Sequence, residues 1–398
     1  MEMTRSHFLA LLLGVSISAL AILLLFIFCT RRKRSSTESE QHDVESHGFS
    51  SETGELVTFR GGEDLTICDI LDAPGEVIGK SSYGTLYKAS LQRSGKVRVL
   101  RFLRPVCTVR SDAKEFNGVI ETLGLVRHEN LVPLLGFYGG NRGEKLMVHP
   151  FFSSGNLSDF IAKSCSTLPG KWLETFAVSM MLISLLHCDC MAGPLILGRF
   201  VFCRYCGDDE SVKWINILRI TIGITEALDY LHNRIQKPIV HGNLKSKNVL
   251  LNSSFEPRVS DYGLHLLLNQ TAGQEILDVS AAEGYKAPEL IKVKEVSKES
   301  DVYSLGVIML ELVTGKEPIN NDPTGDNELY LPDFVRNAVI DHKLSDLYRP
   351  EILKSSGDMS EELVLKYFQL ALSCCSPSPS LRPNIKQVLR KLEDIKKC

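Results

Sequence analysis

The chain has 398 residues, a net charge of −3 and an ordinary 23% of charged residues. No basic domain or stripe is visible, which argues against a nucleic-acid partner. Eleven cysteines in so long a chain exclude a small disulfide scaffold. Five of them, Cys165, Cys188, Cys190, Cys203 and Cys206, fall in one stretch. The rest are scattered, as thiols are in a reducing compartment.

Taken from the start, Phe8 to Cys29 is an uninterrupted apolar run without a charge. It is long enough to span the ~30 Å hydrocarbon core of a bilayer at about 1.5 Å per residue. Arg31-Arg32-Lys33-Arg34 follows at once. A cleaved signal, the alternative, carries its positive charges before a shorter apolar core. The pattern predicts residues 1–7 as a short extracytoplasmic end, 8–29 as a transmembrane helix, and all that follows as cytoplasmic by the positive-inside rule. About seven outer residues leave no room for an ectodomain. The expected location is the plasma membrane, as a single-pass protein. Cys29 at the inner edge is a palmitoylation candidate, although a lone boundary cysteine is more often unmodified. Residues 30–54 read as a basic and then flexible juxtamembrane linker, rich in Ser, Glu and His.

Order is expected to resume near Glu55. Asp64 to Leu71 reads as a short amphipathic helix, and Val77 to Ala89 and Val97 to Leu103 as strands joined through Ser94-Gly95. Ala113 to Val126 has helical periodicity, and Leu146-Met147-Val148 is a short buried strand. Ile215 to His232 reads as a long helix. Val302 to Val313 is nearly all apolar but too short to span a membrane, so it is a buried core helix.

The chemistry is concentrated in His241-Gly242-Asn243-Leu244-Lys245-Ser246-Lys247-Asn248, then Asp261-Tyr262-Gly263, then Ala287-Pro288-Glu289. Their order and spacing are those of a protein-kinase C-lobe. A kinase loop reads His-Arg-Asp, and its Asp accepts the substrate hydroxyl proton. Here that position is Asn243, whose amide has no basic lone pair for the task. Lys245 remains in the loop. Asp261 keeps a carboxylate able to ligate Mg²⁺, and Asn248 a side chain able to hold a second ion.

Upstream, Gly79-Lys80-Ser81-Ser82-Tyr83-Gly84 stands where a phosphate-covering G-x-G-x-x-G loop would be. Ser81 replaces the second glycine and adds a Cβ in the path of the phosphates. The next strand carries no Lys for those phosphates. Direct counting puts Leu100 in its place; one extra turn residue puts Arg101 there. The Arg101 register is preferred, because it turns Val99 and Arg101 to the cleft and Leu100 to the core. The partner Glu of the following helix falls at Val119, with Glu121 about half a turn away. Losing both partners together avoids an uncompensated buried charge.

This set of motifs resembles the plant receptor-like kinase family. The likeness is greatest to its leucine-rich-repeat branch with a His-Gly-Asn loop, and to transmembrane kinase-like members described as inactive. It covers about Leu56 to Glu393, through phrases such as Arg127-His128-Glu129-Asn130, Gly284-Tyr285-Lys286-Ala287-Pro288-Glu289, Ser300-Asp301-Val302-Tyr303 and Leu381-Arg382-Pro383. The resemblance implies an α+β, bilobal kinase-like fold over residues 55–393. A small β-rich N-lobe would cover about 55–149 and a larger helical C-lobe about 150–393. It also implies that Glu289 pairs with Arg382 and that Asp301 braces the catalytic loop. Beyond the losses above, Ala282 replaces a Thr whose hydroxyl braces that loop.

Near 165–206 about forty extra residues interrupt the family pattern, with apolar runs such as Phe176 to Leu186. An error in the coding sequence, such as a retained intron, is the leading account. A membrane-contacting hairpin and a zinc cluster at Cys188, Cys190, Cys203 and Cys206 are the alternatives.

The reading is a membrane-anchored pseudokinase acting through protein binding, with ATP and Mg²⁺ bound weakly or not at all. Its expected partners are other membrane receptor kinases or cytoplasmic signalling proteins. Two alternatives remain: a weak Ser/Thr kinase using Lys80 or Lys88, and a nucleotide-responsive switch that transfers no phosphate.

Overall fold

The computed structural model describes residues 54–109, 113–165, 213–321, 328–341, 343, 347–348, 352 and 361–397. The Phe8–Cys29 run, the linker up to residue 53 and the insertion beyond Cys165 lie outside them. Among the described residues no helix is long and apolar enough to cross a membrane. No group of His, Cys, Asp and Glu among them could hold a metal.

The N-terminal half of the described chain is an antiparallel sheet of β1 (Glu55–Thr58), β2 (Gly75–Ser81), β3 (Gly84–Ser90), β4 (Val97–Leu103), β5 (Gly136–Gly139) and β6 (Lys145–Pro150). Its order is β1-β5-β6-β4-β3-β2. A short helix, α1 (Ile67–Leu71), starts on Thr66, whose hydroxyl accepts from Asp69 N. The single strand expected over Val77–Ala89 is two, turning at Ser82-Tyr83. Periodicity alone missed the turn because Gly84 is needed for close packing rather than for a positive φ. A Cβ there would come within 2.4 Å of the Phe102 carbonyl oxygen. The strand β4 lies between β3 and β6, with Arg101 opposite Leu86 on one side and Met147 on the other. Across the sheet α2 (Ala113–Leu125) buries Phe116, Ile120 and Leu123, the spacing of one helical face.

The rest is largely helical. After α3 (Leu157–Cys165), α4 (Trp214–Asp229) ends in a π-helical turn over Tyr230–Arg234 rather than running on to His232. The hairpin of β7 (Val249–Leu251) and β8 (Pro257–Val259) holds Asn248 just before its first strand and Asp261 just after its second. Ser260 N donates to Asn248 O at 2.8 Å and closes the hairpin's open end. A helix absent from the sequence reading, α5 (Gln270–Ala282), follows. Its N-cap Asn269 accepts from Ala272 N at 3.0 Å, and it buries Ala272, Ile276 and Leu277.

The core helix α6 (Lys298–Thr314) begins with a Ser297/Ser300 capping box and ends at Gly315 with φ +70°. All its residues from Ser300 to Thr314 are buried. Burying each large aliphatic side chain contributes ~1.5–3 kcal/mol, so this helix anchors the lobe. Around it lie α7 (Leu331–Ile340), α8 (Glu361–Cys374) and α9 (Ile385–Lys397), with β9 (Ile319–Asn321) and β10 (Glu328–Tyr330) as a small hairpin.

Candidate functional site

Between sheet and helices lies a cleft cavity of about 190 Å³. Its walls include Ile78, Leu86, Val99, Met147 and Leu250, and Arg101, Asn248 and Asp261 line its polar end. Strand alternation makes that division. Leu100 is buried in a second cluster with Ala89, Leu91 and Val148, while Arg101 faces the cleft.

Arg101 is buried, and its Nη2 donates to Asp261 Oδ1 in a tight ion pair. Burial opposes the guanidinium charge, but Asp261 and then Tyr83 outweigh it and hold the pKa above its ordinary value. Tyr83, from the glycine hairpin, completes the group. Burial pushes its phenol up, the nearby Arg101 charge pulls the other way, and Ser81 and Arg101 lie within hydrogen-bond reach. The Ser81 hydroxyl donates to Gly84 O at 3.2 Å. Asp261 has φ +63°, a left-handed conformation that aspartate tolerates better than most residues. No carboxylate of α2 replaces it. Val119 packs partly buried against the main core, and Glu121 is exposed.

The catalytic-loop segment hangs from Asp301. Its Oδ2 accepts from His241 N at 2.7 Å, its Oδ1 from Gly242 N at 2.9 Å, and Oδ2 also meets His232 Nε2 at 2.8 Å. Burial alone would raise the Asp301 pKa; the bonds from His232 and the loop hold it below the usual carboxylate range. Gly242 has φ +75°, and a Cβ there would fall 2.5 Å from His265 Nδ1, so only glycine fits. Asn243 is buried, and its Oδ1 has no hydrogen-bond partner among the described residues. Asn248 Nδ2 donates to Asn243 O at 2.9 Å.

Lys245 Nζ reaches Glu283 Oε2 at 2.6 Å, and Lys247 Nζ reaches Oε1 at 2.9 Å. Burial works against the Glu283 charge, but the two lysines outweigh it and lower its pKa. Ala282 is the last residue of α5 and brings no hydroxyl. Farther away, Arg382 binds Glu289 through both terminal nitrogens, at 2.7 and 2.6 Å, and donates Nε to Ser376 O at 2.8 Å.

Sequence reasoning missed Tyr83, His149, Glu283 and Glu311. Glu283 stands directly before the Gly-Tyr-Lys-Ala-Pro-Glu phrase, but nothing in a one-dimensional pattern says which lysine it meets. His149 Nδ1 lies 3.0 Å from Pro133 O. A carbonyl oxygen only accepts, so Nδ1 carries the proton and Nε2 keeps a lone pair. Burial, and then Arg101, pull the pKa of this ring down to about 4, so it is neutral at pH 7. Glu311 accepts from Tyr285 Oη at 2.8 Å and from Ser246 Oγ at 3.3 Å.

The model of the family described as protein tyrosine and serine/threonine kinase matches residues 73–392. The chain belongs to this family. The kinase-like protein TMKL1 of Arabidopsis thaliana is 33% identical over 393 residues, covering 96% of this chain and 52% of the relative. The leucine-rich repeat receptor-like protein kinase IMK3 of Arabidopsis thaliana is 36% identical over 343 residues, 86% of this chain and 37% of the relative. RLK902 of the same plant, named an inactive receptor kinase, is 32% identical over 330 residues, 82% and 43%. The chain thus spans about half or less of these relatives. Among solved structures, the maize SIRK1 kinase domain bound to AMP-PNP matches with a TM-score of 0.65 and 29% identity, over 86% of this chain and 100% of that one. The pseudokinase domain of the immune regulator BIR2 shares the fold, with a TM-score of 0.61 at 24% identity, over 87% of this chain and 91% of that one.

ATP with Mg²⁺ is the ligand the family implies. The donor set here does not fit it. Arg101 and Asp261, the cation for phosphate and the anion for metal, bind each other, and Lys245 is held by Glu283. A triphosphate and its metal would have to break both pairs.

Proposed function

We propose that this chain is a membrane-anchored, receptor-like pseudokinase that works by binding proteins and transfers no phosphoryl group. The Arg101–Asp261 pair carries the proposal, because it takes out of use the groups that would hold phosphate and metal. Asn243 supports it, since its amide has no proton affinity to serve as base. The anchor is Phe8–Cys29, and the kinase-like domain faces the cytoplasm. Its partners are membrane receptor kinases or cytoplasmic signalling proteins, which need the folded surface and no catalysis.

The reading as a weak kinase using Lys80 or Lys88 is disfavoured. Lys80 is exposed on β2. Lys88 Nζ lies 4.9 Å above the Phe151 ring, on a strand position paired with Val99 rather than near Asp261.

Radiolabelled ATP with a generic protein substrate tests the proposal. We expect incorporation at background, and Asn243→Asp alone should not raise it, since Arg101, Val119, Ser81 and Ala282 remain. Incorporation that disappears in an Asp261→Asn control would sink the pseudokinase reading.

A further inference from the structure

The cleft is depleted of free charge but keeps an apolar cavity with one hydrogen-bond acceptor. Resting on the pseudokinase reading, we infer that this cavity binds an uncharged planar nitrogen heterocycle with an N–H donor, of the purine base or nucleoside class, and discriminates against the triphosphate–magnesium form. Three observations carry this inference.

The first is size and lining. At about 190 Å³, the cavity exceeds the roughly 150 Å³ apolar cavity that accepts benzene, so one bicyclic ring fits. Ile78 and Leu86 face it from the glycine hairpin, Met147 from β6 and Leu250 from β7. A flat ring between such side chains gains apolar burial without any ion pair.

The second is His149. Its Nδ1–H is spent on the Pro133 carbonyl, and the ring lines the cavity. The remaining Nε2 lone pair is an acceptor in mostly apolar surroundings. A ligand donor satisfies it; a ligand without one leaves it desolvated and unpaired. A site built on one such polar group rejects analogues lacking the matching hydrogen.

The third is the polar end. Arg101 already holds Asp261, and Lys245 and Lys247 already share Glu283. Phosphate oxygens reaching this end meet cations neutralised by carboxylates. Mg²⁺ must first remove a buried guanidinium from Asp261. Each rearrangement costs binding energy that a neutral heterocycle never has to supply.

The test uses the full 398-residue chain, with thermal shift and calorimetry against adenine, adenosine, N6,N6-dimethyladenosine and ATP, each with and without MgCl₂. We expect adenine and adenosine to bind equally well with and without Mg²⁺. ATP·Mg²⁺ should bind at least about tenfold more weakly, the scale of one forgone ion pair in a half-buried site. The dimethylated nucleoside, lacking the exocyclic N–H, should also bind about tenfold more weakly. Two variants locate the site. Ile78→Trp, at a half-exposed wall position, should abolish adenosine binding while leaving the ligand-free melting temperature unchanged. Asp261→Asn should raise ATP affinity, with or without Mg²⁺, by releasing Arg101.

Tighter binding of ATP·Mg²⁺ than of adenosine would overturn the inference. So would the absence of any adenine or adenosine binding, retained adenosine binding in Ile78→Trp, or a fall in ATP affinity in Asp261→Asn. Phosphoryl transfer, measured in parallel, would sink the underlying pseudokinase reading. No transfer together with no adenosine binding sinks this inference alone.

Discussion

Two regions of this molecule hold buried ion pairs, and they are built differently. In the helical lobe, Arg382 meets Glu289 with two nitrogens and adds the carbonyls of Ser376 and Glu299, with its guanidinium over the Tyr303 ring at 5.1 Å. Asp301 likewise serves two backbone amides and a histidine. In the cleft, Arg101 meets Asp261 through one nitrogen, and Glu283 is divided between two lysines. The first kind is over-determined by backbone partners that fold the chain. The second kind joins side chains whose counterparts in an active kinase would face a ligand. Removing a member of the first should therefore cost stability, and removing a member of the second should chiefly change what the cleft binds.

The sharpest way to break this contrast is Arg382→Ala. It leaves Glu289 and several carbonyls unpaired around a fully buried site, and should cost ~3–5 kcal/mol by denaturant titration. Arg101→Met should cost less, about 2–3 kcal/mol, because Asp261 keeps some access to water at the cleft and its carboxylate can rehydrate. Equal losses in the two variants would show that the cleft pair is scaffold.

A third test lies between the regions, at Glu311, which joins Tyr285 to Ser246 of the catalytic loop. Burial pushes its carboxyl from 4.5 up to about 8, despite the hydrogen bonds it accepts. The folded state therefore keeps the proton to a higher pH than the unfolded chain does. This contribution to stability is complete below pH 4.5 and is lost as pH rises toward about 8. Glu311→Gln should flatten that slope by about 2 kcal/mol, read from melts across the window. An unchanged slope would mean that Glu311 is ionised in the fold. The smallest effect belongs to Lys247→Ala. Its side chain is 58% exposed, and its loss should change stability by ~0–1 kcal/mol, since Lys245 still holds Glu283. A larger loss would place the Glu283 clamp among the architectural pairs.

Much of this was legible in one dimension. The spaced phrases from His241 to Glu289 implied a kinase fold, and the family match over 73–392 agrees. Helical periodicity located α2 and α6 closely, because each buries one continuous set of apolar residues. The π turn after Asp229 and the 270–282 helix were not legible, since lobe packing rather than local pattern decides them. Asn243 in place of a base and the missing strand lysine are facts of residue identity, and sequence alone determined them. The partners of the residues that remain were decided by tertiary structure. Arg101 and Asp261 are 160 positions apart. Only the register of β4 between β3 and β6, and the hairpin that presents Asp261, bring them together. The same holds for Glu283 with Lys245 and for His149 with Pro133. A sequence lists which charges and lone pairs exist; whether each is spent inside the fold or left for a ligand is settled by distances that only packing creates.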